Sequence, residues 1–374
     1  MNHALEHRRA LHQIPELSYN EFQTKEYILS VLKNCNCEIV EVLSTGVCAW
    51  FNKGKKDTIA FRADMDALPI QEETGLPFAS KHAGKMHACG HDGHMAMLLG
   101  FAEELSQLDD EAFKNNVLLV FQPSEETVGG AKPICESGIF EKTNTKAIFG
   151  THLYPFLKKG AIGSRPNEFM ASCSEVTIEV HGKSTHVAEP NKGIDSIEIA
   201  AELLCRLYKM EKEEIAEDEY RILKFGLFQG GTVRNILPET TVMLGGYRSF
   251  HSSVFNQMVT RTNEIIDELQ ARFGCKIKFD HTDGYPAVIN NEKMFNYLKN
   301  TLQDEFEFVH YEKPFMIAED FSFYCQKMPG CFMYLGTGTG IALHNCQFDF
   351  DEEILQNGIQ AYLKLMNVKE DVYE

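Results

Sequence analysis

Over the first 155 residues, short β-rich runs alternate with helical patterns. That alternation restricts the chain to a largely parallel α/β sheet. The runs CEIVEV, GVCAWF and TIAFRAD precede a helix expected from about His91 to Leu105. The strand NVLLVFQ, a helix near 129–138 and the strand AIFGTHL follow. Earlier, NEFQTKEYILSVLK at 20–33 has helical periodicity and opens on Asn20, a candidate cap. The character changes near residue 171. SEVTIEVHG, a helix at 193–211, YRILKFGLFQGG, ETTVMLGGYRSF, a helix at about 252–273 and CKIKFDHT read as β-α-β-β-α-β, the ferredoxin-like split unit. After DGYPAVINN the pattern returns to helices and the apolar strand CFMYLG. The reading is therefore two domains: a mainly parallel-sheet α/β domain of 1–170 and 287–374, and an inserted ferredoxin-like α+β domain of 171–286.

A chain of 374 residues exceeds a usual single core, in keeping with two domains. Its 54 acidic against 36 basic residues give a net charge of −18, which repels phosphate backbones and anionic lipid. Nucleic acid and membrane are thus not expected as partners. The eleven cysteines are odd in number and lack C-x-x-C spacing, the start MNHALEHRRALHQ is charged, and no apolar stretch would span a bilayer. A reducing, cytoplasmic location is expected, with most cysteines acting as small buried hydrophobes.

Open α/β sheets carry their sites at the C-terminal ends of strands. TIAFRA ends in Asp64 and Asp66, NVLLVFQPSEE in Glu125 and Glu126, AIFGTH in His152, and CFMYLGTGTGIALH reaches His344. KMHACGHDGHM adds Cys89 and His91 at a helix mouth, where the helix dipole favours a thiolate. Thiolate, imidazole and carboxylate together suit borderline cations such as zinc, cobalt, nickel or manganese. Cys89, His91, Glu126, His152 and His344 exceed the needs of one tetrahedral ion, so a pair of divalent ions sharing a ligand is expected. Glu125, beside the ligand Glu126, has the placement of a general base. Alone, CGHDGH also reads as a helix N-terminus capped by Asp92 with solvated histidines, and Glu125–Glu126 as a solvated turn. His94 fits a ligand by spacing but is expected to pack or hydrogen-bond locally, and His87 to lie behind the site or at the surface. LGTGTG lacks a P-loop ending and reads as a turn.

RADMDALP, MHACGHDGH, PSEE, GTH and the distal Leu343–His344 resemble the aminoacylase and carboxypeptidase metallohydrolases, in particular the branch of N-acyl-amino-acid amidohydrolases. HRRALHQIPELSYNEFQT and AEDFSFY extend the resemblance over almost the whole chain. It implies two-metal amide hydrolysis, with the insert acting as a lid over the catalytic domain. It also implies ligand roles for Cys89, His91, Glu126, His152 and His344, and a proton acceptor at Glu125. Many relatives have His-x-Asp where this chain has Asp64-Met65-Asp66. Cys89 is then the replacement ligand, and Asp64, in preference to Asp66, supports catalysis by orienting a ligand. In the insert, the resemblance implies that loop residue His186 stabilises the oxyanion and that Asn235 and Arg248 hold the substrate carboxylate.

What the resemblance implies is removal of an acyl group from a small N-acyl amino acid, with N-acetyldiaminopimelate deacetylation first and hippurate hydrolysis or broad aminoacylase activity next. A carboxypeptidase or dipeptidase, and a metal-dependent binder of amino-acid conjugates, are the remaining alternatives. The insert's exposed edge strand or helix face could pair two copies into a homodimer, with His186 serving its own or the neighbouring site.

Overall fold

The computed structural model describes residues 3–374 and divides into two compact units. The first comprises the chain through Phe169, Val288–Pro314 and Asp320–Glu374; the second comprises Met170–Ala287 and Phe315–Glu319.

An eight-stranded sheet organises the first unit. Its strands include β1 (Glu38–Val42), β2 (Gly46–Phe51), β3 (Thr58–Asp64), β4 (Asn116–Gln122), β5 (Thr145–Tyr154) and β6 (Ile162–Ser164). The order is β1-β2-β4-β3-β5, then Gly330–Gly336, β6 and Phe308–His310. β4, β3, β5 and Gly330–Gly336 run parallel, whereas β1, β2 and the junction of Gly330–Gly336 with β6 are antiparallel. Every residue of β3, β4 and Gly330–Gly336 is buried, because helices cover a parallel sheet on both faces and its strands need no polar alternation. Phe61 of β3 packs between Phe101 and Phe149, with ring centroids 5.1 and 5.5 Å away. β3 lies between β4 and β5, so the strand order reverses beside it and a crevice opens at the carboxyl ends.

Three helices position the site: α1 (Ala4–His12), α2 (Phe22–Leu32) and α3 (His91–Gln107). Asn20 does not cap α2; Glu21 stands at that position, and the Asn20 amide donates to the Ser18 carbonyl instead. α3 opens at Gly90, whose φ of 86° lies in the left-handed region that glycine enters without a Cβ clash. The apolar run after His91 is buried against the sheet.

The second unit has the strand–helix order read from the sequence. Its four strands lie as Arg221–Gly230, Thr240–Ser249, Ser172–His181, Lys276–His281, all antiparallel. Helices Ser196–Glu213 and Ser252–Phe273 bury their apolar stripes against the sheet. Asp195 caps the first of these helices by accepting from the amides of Ile197 and Glu198. Among the described residues no helix is long and apolar enough to cross a membrane.

Candidate metal centre

β3 delivers two buried carboxylates that flank one imidazole. Asp64 Oδ2 lies 3.5 Å from His91 Nε2, and Asp66 Oδ1 lies 3.6 Å from His91 Nδ1. They do different things. Asp64 accepts from Arg62 at 2.7 Å and from His94 Nδ1 at 2.5 Å, so both of its oxygens are engaged. Burial opposes its ionisation, but His91, Arg62 and His94 hold its carboxyl well below the usual range. Asp66 accepts the backbone N–H groups of Glu125 and Glu126, at 2.9 and 3.0 Å, and the Ser18 hydroxyl at 2.7 Å. Its backbone carbonyl takes the His91 Nδ1 proton at 2.7 Å. The two aspartates are thus tied differently: Asp64 to His94 and Arg62, and Asp66 to His91 and the Glu125–Glu126 turn.

The histidines around α3 sort by their hydrogen bonds. His94 gives its Nδ1 proton to Asp64 and accepts the Leu153 amide at Nε2, 2.9 Å away, so it has no nitrogen left for a cation. His91 spends only Nδ1, and His152 spends Nδ1 on the Leu153 carbonyl at 2.8 Å. Their Nε2 atoms face inward: His152 Nε2 is 3.4 Å from Cys89 Sγ, and His91 Nε2 is 3.8 Å from Glu126 Oε1. His344 stands at a φ of 63°, an uncommon conformation for a side chain-bearing residue, held where its amide donates to the Ala88 carbonyl beside Cys89. Its Nε2 is 3.3 Å from Glu126 Oε1. His87 is buried rather than at the surface, and burial pushes its pKa down to about 4.

These spacings suit a cation. Bonds of about 2.0–2.3 Å to nitrogen, oxygen and sulfur put neighbouring ligand atoms about 3.3–3.8 Å apart. Cys89, Glu126 and His344 form one group and His91, Glu125 and Glu126 another, each with donor atoms within 4.8 Å; a third cluster, Asp64, His91, His94 and His152, is already occupied by the bonds of His94 to Asp64 and Leu153. Glu126 is common to the first two. His91 Nε2 and Glu126 Oε1 are buried without a hydrogen bond. Buried polar atoms are seldom left so, and these are the atoms a metal would engage. Burial works against charge on His91, yet Asp64, Asp66 and Glu126 outweigh it and push the pKa up to about 10. For Cys89, burial and the carboxylates of Glu126 and Glu125 drive the thiol pKa well up. The helix mouth favours a thiolate at Cys89, whereas burial and the surrounding carboxylates oppose it, and a bound cation would favour loss of the proton.

A buried network behind the site was not visible in the motifs. Arg62 also contacts Asp320 at 2.9 Å and Gln122 at 2.9 Å, and Gln122 donates to both Asp320 oxygens. The signal for it in the sequence is the alternation of Arg62 with Asp64 on one buried strand, with Asp320 supplied by the distant AEDFSFY segment.

In the second unit, His186 belongs to the two-residue strand Thr185–His186, paired with Ile236–Leu237, and not to an open loop. The Val187 amide donates to the Asn235 carbonyl at 3.1 Å, so His186 and Asn235 are neighbours and both are exposed. Arg248 is elsewhere. It pairs with Cys173, whereas Thr240, at the His186 end of the same strand, pairs with His181. At roughly 3.3 Å per residue that is a separation of about 26 Å. Arg248 donates to the Met316 carbonyl at 2.7 Å. A joint grip by Asn235 and Arg248 of one chain on one carboxylate is thus not what this unit builds.

Convergent thiol, imidazole and carboxylate donors at the strand ends of a doubly wound sheet define a candidate metal centre. The profile of peptidase family M20/M25/M40 matches residues 60–368, and the chain belongs to that family. An uncharacterized hydrolase of Staphylococcus epidermidis is 36% identical over 375 residues, 97% of each chain. Another, from Staphylococcus aureus, is 34% identical over 376 residues, 98% of each. Among solved structures, the Bacillus subtilis YXEP protein, a dinuclear metal binding peptidase from the M20 family, is similar with a TM-score of 0.85 and 33% identity, covering 97% of this chain and 96% of that one.

Proposed function

We propose that the protein is a two-metal amidohydrolase that cleaves the amide bond of N-acyl amino acids. N-Acetyldiaminopimelate is placed first among substrates and hippurate second, on the strength of the motif resemblance. The carrying observation is the inward convergence of Cys89, His91, Glu126, His152 and His344, with His91 Nε2 and Glu126 Oε1 buried and unsatisfied. Zinc, manganese, cobalt or nickel ions held by these groups would polarise the scissile carbonyl and acidify water.

In this reading the chain's own groups do the rest. Glu125, fixed by its amide to Asp66, takes a proton from the attacking water and passes it to the departing amine nitrogen. His186 donates a hydrogen bond to the oxyanion as its charge develops. Arg248 and Asn235 hold the substrate carboxylate, and their placement at opposite ends of the second unit favours their coming from two different copies. A homodimer in which His186 and Asn235 serve the neighbouring copy's centre satisfies this. The strand Arg221–Gly230 is an edge strand with Leu227 and Phe228 exposed, a surface able to pair two copies.

The test is a panel of N-acetyl, N-benzoyl and indole-acetyl amino acids with several divalent metals. Glu125→Gln should lower turnover by at least about 10²-fold, with metal content by elemental analysis unchanged. Retained activity in that variant would remove Glu125 from its role, and preference for C-terminal dipeptides would redirect the reading to a peptidase.

A further inference from the structure

Three successive backbone N–H groups, those of Ser124, Glu125 and Glu126, end on two buried carboxylates. Asp66 takes the second and third, as described. The first goes to Glu21 Oε1 at 3.0 Å, and the other Glu21 oxygen accepts the Thr45 hydroxyl at 2.7 Å. Glu21, Thr45 and Ser124 are fully buried. Ser124 has a φ of 61°, so the turn exposes consecutive amides in a concave nest of the kind that binds anions. Here the protein fills the nest with its own acids.

We propose that Glu21 is a positioning residue for the Glu125–Glu126 turn, a role that rests on the hydrolase reading above.

Several observations carry this. A side chain-bearing residue in the left-handed region costs free energy and persists only when its surroundings impose it. The Glu21 carboxylate engages the amide of that very residue, directly ahead of the base and the shared donor. Burial pushes the Glu21 carboxyl up to about 7, so an acid is held there at a cost that an apolar filler would not incur. The surroundings are tight as well. A Cβ on Gly46 would fall 2.8 Å from the Val42 carbonyl oxygen and 3.1 Å from Pro123, and one on Gly130 would fall 1.9 Å from the Pro123 carbonyl oxygen. The β1–β2 hairpin and the returning loop thus wedge the turn from outside, while Glu21 and Asp66 tie it from within. A base misplaced by about 1 Å loses on the order of 10²-fold in rate, so this clamp bears directly on turnover.

The test uses the full chain with Glu21→Ala, Glu21→Gln and Glu21→Asp. Amide hydrogen exchange of the 123–127 segment is followed without substrate, and kcat and KM are measured in metal-replete enzyme on whichever N-acyl amino acid the wild type hydrolyses. Glu21→Ala should speed local exchange and lower kcat by about 10- to 100-fold, with KM within about twofold. Glu21→Gln should recover most of both, because its amide oxygen still accepts from Ser124. Should Glu21→Ala fail to fold, Glu21→Asp, one methylene too short to reach Ser124, should give the same local loosening and kcat loss in a chain that still folds, as judged by circular dichroism. Wild-type exchange and kcat in the Ala or Asp variant would overturn the proposal, as would a Gln variant as impaired as Ala. An inactive wild type would sink the hydrolase reading while leaving the grip of Glu21 on the turn measurable by exchange.

Discussion

At Cys89 two influences compete: the positive end of α3 favours a thiolate, and buried carboxylates resist it. Burial and the carboxylates of Glu126 and Glu125 raise the Cys89 thiol, and Asp64, Asp66 and Glu126 raise the His91 imidazole against its burial. A metal cation entering the centre must therefore displace protons from both side chains. Metal affinity is expected to rise with pH, because a thiol and an imidazole bind a cation only after losing their protons. Calorimetric titration with zinc in buffers of different ionisation heat should register proton release, and Cys89→Ser should diminish it together with the metal bound. Of the residues concerned, the donors themselves were legible, since a Cys, His or Glu at a strand end announces its chemistry. Their protonation was not, because it is set by neighbours distant in sequence. The division of labour between Asp64 and Asp66 was equally hidden: their spacing is the same in any strand, and only the contacts with His94 on one side and the Glu125 and Glu126 amides on the other separate them.

α3, the helix that carries His91, is anchored by α1. Asp92 Oδ2 accepts from His12 Nδ1 at 2.8 Å and from Arg8 Nε at 3.2 Å, all three side chains being buried. Capping by Asp92 had been the plain alternative for this segment; instead its carboxylate ties two helices. Burial disfavours the charged form of His12, but Asp92 and Glu72 push its pKa up to about 9. A pKa raised on folding stabilises the fold fully below the unfolded value near 6.5, and that contribution is lost as pH rises through 9. Thermal unfolding should accordingly show a decline between these limits that is absent from His12→Gln. Asp92→Asn removes the acid that Arg8 and His12 share, while Asp349 still faces Arg8 and Glu72 still faces His12; it should cost about 1–3 kcal/mol in chemical denaturation. Most element bounds were readable from periodicity to within one or two residues: NVLLVFQ is β4 and TIAFRAD is β3. The helix near 129–138 is shorter, Ala131–Glu136, because Gly138 breaks it with a φ of 81°.

For the whole molecule, the proposed exchange of His186 between copies makes a complementation test available. His186→Ala and Glu125→Gln should each be inactive. Mixed and re-associated, they should regain roughly a quarter of wild-type activity, because half the random dimers then hold one intact site. Light scattering should report a dimer, lost on Leu227→Asp. No recovery on mixing would place His186 in its own copy's site or in none. By itself the sequence determined the largely parallel sheet, the ferredoxin-like strand order of 171–286 and the candidate donor side chains at the strand ends, because periodicity and strand-end chemistry are local properties. The tertiary structure alone decided that His94 is spent on Asp64 and Leu153, that buried carboxylates surround Cys89, that Arg248 stands far from Asn235, and that Glu21 reaches Ser124. Each of these depends on which atoms of remote segments meet in a buried space, where an unpaired group is costly and a neighbouring charge acts strongly.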